Sequence, residues 1–325
     1  MATIHDVAAR AGVSTATVSR ALNGKSTVDP ELAARVAAAA DELDYRPNAV
    51  ARSLRLQATT VWALIISDIE NPFFTAVARG VEDVAQAAGH SVVLCNSDED
   101  PAKEARYLQV AVAERVAGVV LSPTAASTDI APLAEHGIPV VAIDRPLPEI
   151  DAVLVGSRQG AADATAHLLA AGYDRVACVT GPRRVSTAED RLAGYGDALH
   201  AAGRRVSSRL VRHADFKVPG GRRAVEQLLG AARPPDALFV ANSLMAIGAL
   251  QSLAARGLTA GRDVGMVAFD DAPWTQLVNP PISVVAQPAY AIGETAGRLL
   301  TDRGDESRTV TLDAELIVRG SSDPG

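Results

Sequence analysis

Only 4% of the 325 residues are aromatic, and the chain holds two cysteines, three methionines and two tryptophans. Two cysteines cannot build a disulfide framework. Cys95 and Cys178 each fall in an apolar, strand-like run and read as buried free thiols suited to a reducing compartment. No apolar run approaches the ~20 residues a membrane-spanning helix needs. The N-terminus shows no charged-then-apolar leader, so a cytoplasmic protein with no membrane partner is expected. His5, His90, His136, His167, His200 and His213 are scattered without metal-ligand spacing. Also missing are a Gly-x-Gly-x-x-Gly turn, a phosphate-cradling Gly-Lys-Ser/Thr loop and a Gly-x-Ser-x-Gly elbow. No catalytic residue, metal or cofactor is expected.

What the chain does have is a dense run of helix signals near its start. Thr3, with Asp6 three residues later, is an N-cap pair for a first helix carrying Ile4, Val7 and Ala8 on one face. Gly12 suits a sharp turn with positive φ. Ser14 then caps a second helix from Thr15 to about Leu22, with Val18, Ala21 and Leu22 inward. Asp29-Pro30-Glu31 starts a third helix with an apolar stripe of Leu32, Val36, Ala39, Ala40 and Leu43. Two short helices joined by a glycine turn form a helix-turn-helix, whose second helix enters the DNA major groove. The bland alternative is a packed helical hairpin with no nucleic-acid role. On the second helix Thr15, Ala16, Thr17, Ser19 and Arg20 face out. Arginine suits guanine and the Thr and Ala methyls suit thymine, while Thr17 and Ser19 read as positioning residues.

A net charge of −7 is wrong for a protein that coats DNA. Up to Thr60 there are seven Lys or Arg against six Asp or Glu, which leaves 24 against 32 for the rest. Only a small local contact is expected, carried by Arg20, Lys25, Arg52 and Arg55, with Asp41, Glu42 and Asp44 facing away. Two heads would have to share the work.

The run Thr3-Ile4-x-Asp6-Val7-Ala8-x-x-Ala11-Gly12-Val13-Ser14-x-x-Thr17-Val18-Ser19-Arg20-x-Leu22-Asn23 resembles the signature of the lactose-repressor (LacI/GalR-type) transcriptional regulators. So does Tyr45-Arg46-Pro47-Asn48-Ala49-Val50-Ala51-Arg52-Ser53-Leu54, and the resemblance runs along essentially the whole chain. It implies a homodimer on palindromic double-stranded operator DNA, with Thr15 and Ala16 setting base preference. Asn48 and Arg52 fall in the family's hinge segment, where Val50 and Ala51 are small enough for two hinge helices to touch. Leu54 takes the place of the hinge leucine that wedges into the minor groove; ordinary packing is the alternative.

From about Thr60 short β-rich runs alternate with longer helical patterns, which implies parallel sheets covered on both faces. So many strands suggest two doubly wound lobes, although no sequence repeat is evident. The pattern predicts, among others, helices over 161–171 and 221–229 and one final strand near 309–318. The expected class is α/β: an all-α helix-turn-helix head over 1–46, a hinge helix and linker over 47–60, and a two-lobed body over 61–325. The resemblance gives that body a periplasmic-binding-protein-like architecture.

Ligands of such sheets bind at the carboxyl ends of strands, here between the lobes. Residues just after the strands are Ser67 to Glu70, Ser122, Asp144-Arg145, Gly181, Asn242-Ser243 and Asp270-Asp271. This mixture of hydroxyl, carboxylate, amide and guanidinium groups suits a polyol, and Phe73, Phe74, Phe216 or Trp274 could supply a stacking face. The family's pattern adds Arg191 and singles out Phe74, Asp144, Asn242 and Asp270 as effector contacts. Capping of the next helix is the plain alternative for the Asp and Asn residues. One departure stands out: Gly156-Ser157 occupies the place where many relatives carry Asp-Asn.

The expected function is a ligand-responsive transcriptional regulator, a repressor of carbohydrate genes with a sugar effector. Alternatives are a regulator responding to a nucleobase or nucleoside, or a small-molecule binding protein without a DNA role. The C-terminal Arg319-Gly320-Ser321-Ser322-Asp323-Pro324-Gly325 lacks a leucine-heptad tail, which favours a dimer over a tetramer.

Overall fold

The computed structural model describes residues 2–22, 28–45, 59–302, 304 and 306–323. Lys25, Asn48, Val50, Ala51, Arg52, Leu54 and Arg55, and with them the expected hinge helix, lie outside the described residues. The chain divides into two units at Thr59–Thr60.

The first unit is a three-helix head. Helix α1 (Ile4–Ala11) starts on a capping box: the Thr3 amide donates to Asp6 Oδ2 at 2.8 Å and the Asp6 amide to Thr3 Oγ1 at 3.4 Å. The Thr3 amide and then the Thr3 hydroxyl, both donating to Asp6 Oδ2, hold the Asp6 carboxyl below its ordinary range. Gly12 ends α1 at φ 66°, a left-handed conformation that an L side chain would strain. Helix α2 (Thr15–Leu22) follows, and α3 (Pro30–Glu42) starts on Asp29, whose carboxylate accepts from the Glu31 and Leu32 amides. Val7, Ala8, Ala11, Val18, Val36, Ala39 and Ala40 fill the core. Arg35 fastens α3 to the end of α1 by donating to the Ala11 carbonyl at 2.5 Å.

The second unit has two lobes, each with a six-stranded sheet. The first sheet holds β1 (Val61–Ile66), β2 (Ser91–Asn96), β3 (Gly118–Leu121), β4 (Val140–Ile143), β5 (Asp151–Val155) and β11 (Thr309–Leu312). The second holds β6 (Val176–Thr180), β7 (Val211–His213), β8 (Ala237–Val240), β9 (Gly265–Phe269), β10 (Ser283–Ala286) and β12 (Glu315–Ile317). Their orders, β11-β5-β4-β3-β1-β2 and β12-β10-β9-β8-β6-β7, match strand for strand, a repeat the sequence does not display. The pairings are parallel except that β12 runs antiparallel to β10.

The body helices are α4 (Pro72–Ala87), α5 (Pro101–Ala113), α6 (Ala131–Glu135), α7 (Ser157–Ala170), α8 (Ser186–Ala201), α9 (Val218–Leu229), α10 (Ser243–Ala254) and α11 (Ala289–Thr301). The chain crosses between lobes three times: α7 leaves β5 to cover the second sheet, α11 leaves β10 to cover the first, and β11 gives way to β12.

Three expectations need correction. The single strand near 309–318 is two strands in different sheets, because Asp313-Ala314 interrupts the pairing. Helix α7 starts at Ser157, earlier than the expected 161, and α9 at Val218 rather than 221. Glycines there look like turn signals but serve close packing. A Cβ on Gly221 would stand 2.4 Å from the Met245 carbonyl oxygen, and one on Gly248 would stand 2.2 Å from that of Val218. Helices α9 and α10 thus meet backbone to backbone, which lets an aromatic-poor chain reach core density with small residues.

Candidate functional site

The carboxyl ends of both sheets face one cleft within the body, with about 440 Å³ of empty space. Asp144 follows β4 and Asp270 follows β9, equivalent strands of the two lobes. Both adopt left-handed backbone, at φ 65° and 74°. Each amide stays bonded to the neighbouring strand: Asp144 N to Val153 O at 3.1 Å, Asp270 N to Val285 O at 2.9 Å. Both aspartates line the cleft. Strain of this kind is held only where the surroundings enforce it, and it collects at binding sites.

Arg191, on α8, lies against the second sheet. Its Nη1 donates to the Ala241 carbonyl at 2.7 Å, and its guanidinium carbon sits 3.9 Å above the Phe269 ring. Its Nε donates to Ser157 Oγ at 3.4 Å, so the serine of the departed Gly156-Ser157 pair braces the arginine. Burial lowers the Arg191 guanidinium, and the opposing charges of Asp270 and Asp144 counter it. Burial raises the Asp144 carboxyl, against the pull of Arg145 and then Arg191. Asp270 accepts from Gln287 Nε2 at 2.5 Å and from the Ser243 amide at 3.3 Å. Arg145 forks onto Glu99 at 2.7 and 2.6 Å and donates to the Pro123 carbonyl at 3.1 Å.

Phe74, Asp144, Arg191, Phe216, Asn242 and Asp270 all line this space together. Asn242 also does structural work, accepting from the Met245 amide at 2.8 Å to cap α10 and donating to the Phe216 carbonyl at 2.9 Å. Ser122 is not in the lining; it is fully buried with its hydroxyl 2.9 Å from that of Ser67. Trp274 packs against the core of the second lobe instead. Sequence reasoning missed Lys217, Glu99, Thr187 and Gln287 among the lining residues. Gln287 directly follows β10 and was findable as a strand-end residue; Lys217 and Glu99 sit further into loops. Lys217 Nζ lies 2.6 Å from Asp68 Oδ2, joining the second lobe to the first.

On the head, Ala16 and Arg20 are exposed and Thr15, Thr17 and Ser19 half-buried, while Val18 is fully buried. The Thr17 hydroxyl sits 2.9 Å from that of Ser14, and the Thr17 amide donates to Ser14 Oγ at 3.2 Å. Thr17 therefore belongs to the cap of α2. Among the described residues no group of His, Cys, Asp or Glu could hold a metal ion, and no helix is long and apolar enough to cross a membrane.

A helix-turn-helix head joined to a two-lobed body with a polar, partly aromatic cleft defines a ligand-responsive DNA-binding transcriptional regulator, not an enzyme. Residues 3–48 match the bacterial regulatory proteins of the lacI family, and residues 59–319 match the periplasmic binding proteins and sugar binding domain of the LacI family. The chain belongs to the LacI family. It is 37% identical to the ribose operon repressor of Halalkalibacterium halodurans, over 100% of this chain and 98% of that one. Among solved structures, the lac repressor dimer bound to operator and the anti-inducer ONPF superposes with a TM-score of 0.86 at 26% identity, covering 99% of both chains. The transcriptional regulator CelR in complex with cellobiose gives 0.75 at 32% identity, covering 99% of this chain and 100% of that one.

Proposed function

We propose that this regulator is a cytoplasmic repressor of carbohydrate-metabolism genes that binds a palindromic operator as a homodimer and takes an uncharged sugar into the cleft. The observation that carries the sugar reading is the pair Asp144 and Asp270, two strand-end carboxylates around one void, with the charges of both acting on Arg191. Two carboxylates can each accept from adjacent hydroxyls, and Arg191 can donate to a ring or hydroxyl oxygen. Phe73 and Phe74, edge to face with centroids 5.0 Å apart, and Phe216 offer an apolar wall. The acids Asp68, Glu99, Asp144 and Asp270 outnumber Arg145, Arg191 and Lys217 in the lining, which argues against a phosphorylated ligand. A ribose operon repressor and a cellobiose-bound regulator among the similar proteins point the same way.

On the head, Thr15, Ala16 and Arg20 read bases and Thr17 and Ser19 position the helix. Lys25, Asn48, Arg52, Leu54 and Arg55, outside the described residues, complete the DNA contact in this reading. A thermal-shift panel on the full chain, with pentoses, hexoses, disaccharides, sugar phosphates, purines and nucleosides, tests the effector class. A sugar at a hundred times its dissociation constant adds about 2.7 kcal/mol, which raises the midpoint by several degrees. A shift with purines or nucleosides alone contradicts the sugar reading.

A further inference from the structure

A second concavity lies in the second lobe at the amino ends of its strands, the end of that sheet opposite the cleft. It is a groove with about 960 Å³ of empty space, lined by four arginines, Arg175, Arg204, Arg205 and Arg233, and by one carboxylate, Asp174. That surplus of positive charge stands out in a chain whose net charge is −7.

The four guanidiniums are in two conditions. Arg175 and Arg204 are pinned, largely by main-chain carbonyls. Arg175 Nε donates to Pro234 O at 3.1 Å and its Nη2 to Arg233 O at 2.6 Å; Arg204 donates to Asp174 O at 2.6 Å and to Asp174 Oδ1 at 2.7 Å. Arg205 and Arg233 are exposed, and among the described residues their side chains make no hydrogen bond or ion pair. Leu210, half-buried just before β7, adds apolar surface to the groove, while Leu199, near the end of α8, is buried in the core beneath it. The pinned pair fixes the positive field, and the free pair can swing to a ligand.

We propose that this groove is a binding site for an organic polyphosphate, a compound with two or more linked phosphates and an apolar or flat organic part. The guanidinium fork matches phosphate oxygens bidentately and sheds water more readily than an ammonium group, and several such forks in one groove favour more than one phosphate. Leu210 takes the organic part. The site is separate from the effector cleft, whose acids outnumber its bases.

Calorimetric titration of the full chain at low ionic strength, with inorganic pyrophosphate and then ADP as probes, tests this. Saturable binding of both is expected, with ADP the tighter, weakened roughly tenfold or more in R205A/R233A. The midpoint of thermal unfolding stays at the parent value in that variant, since neither side chain is bonded. R205K/R233K is also expected to bind weakly, because a point charge lacks the fork. D270N leaves probe binding unchanged. The proposal is overturned by an absence of saturable binding at millimolar pyrophosphate, or by a parent-like affinity in either double variant. Loss of binding in R20A with retention in R205A/R233A overturns it too, by assigning the anion to the head.

Discussion

Lys217 of the second lobe and Asp68 of the first form a 2.6 Å ion pair, a direct side-chain link between the lobes within the body. The lysine is 30% exposed and the aspartate 9%, so the pair is reachable by solvent and salt. It stabilises the lobe arrangement seen in this structure without any ligand, and a cleft ligand shifts that arrangement only by its differential affinity for it.

Removing the pair weakens that arrangement. K217M is expected to lower the ratio of this lobe arrangement to more open ones by roughly fivefold, from about 1 kcal/mol for a partly exposed pair. Small-angle scattering of the ligand-free chain should show a larger radius of gyration, and the difference between parent and variant should shrink at high salt. A variant with unchanged dimensions would remove Lys217 from control of the lobes.

The two strand-end aspartates differ in what a neutral substitute does. Asp270 holds Gln287 and the Ser243 amide, and D270N is expected to weaken sugar binding by roughly 10- to 100-fold, the loss of a charge-assisted hydrogen bond. Calorimetry on the sugar found by the panel reads this directly, with operator affinity in the absence of sugar unchanged.

Asp144 carries a pH signature. Burial raises its folded-state value above the unfolded one, so the ionised carboxylate costs stability at neutral pH and the cost vanishes below the ordinary carboxylate range near 3.8. D144N should therefore raise the unfolding midpoint at pH 7 to 8, with the gain fading as the pH falls toward 4. A gain that persisted undiminished at low pH would contradict the burial argument.

The close crossing of α9 and α10 predicts that G248A destabilises the body by about 1–3 kcal/mol, the usual cost of overpacking. The added methyl would meet the Val218 carbonyl oxygen, which a helix cannot easily move. Chemical denaturation should show a lower midpoint with an unchanged slope.

These residues also mark how far the sequence could be read. The head was legible because each of its signals is local: Thr3 with Asp6, Gly12, Ser14 and Asp29-Pro30 act within one turn of where they stand. Asp144 and Asp270 were legible as strand-end residues because strand ends follow from the hydrophobic pattern, while their choice as effector contacts came from the family resemblance. Lys217 was not, since its partner Asp68 is 149 residues away and only the juxtaposed lobes bring them together. The roles of Gly160 and Gly221 were not legible for the same reason: a Cβ there would meet Val285 and Met245, contacts that no local pattern reveals. The passage of 309–318 between sheets is likewise a tertiary event over two residues.

The base-reading surface yields its own expectation. T15A/R20A should lower operator affinity by 10-fold or more, since one bidentate arginine–guanine contact accounts for about 1–3 kcal/mol, and should leave sugar binding at the parent value. Loss of both activities would point to a misfolded variant and is checked by the unfolding midpoint.

The most direct test joins the two sites. Operator duplexes selected from a random pool by the full chain would be titrated by fluorescence anisotropy with and without the stabilising sugar. The account predicts a change in operator affinity of roughly 5- to 150-fold, about 1–3 kcal/mol of coupling, which in D270N needs roughly 10- to 100-fold more sugar while the sugar-free affinity is kept. An operator affinity that the sugar leaves untouched in the parent protein would contradict it.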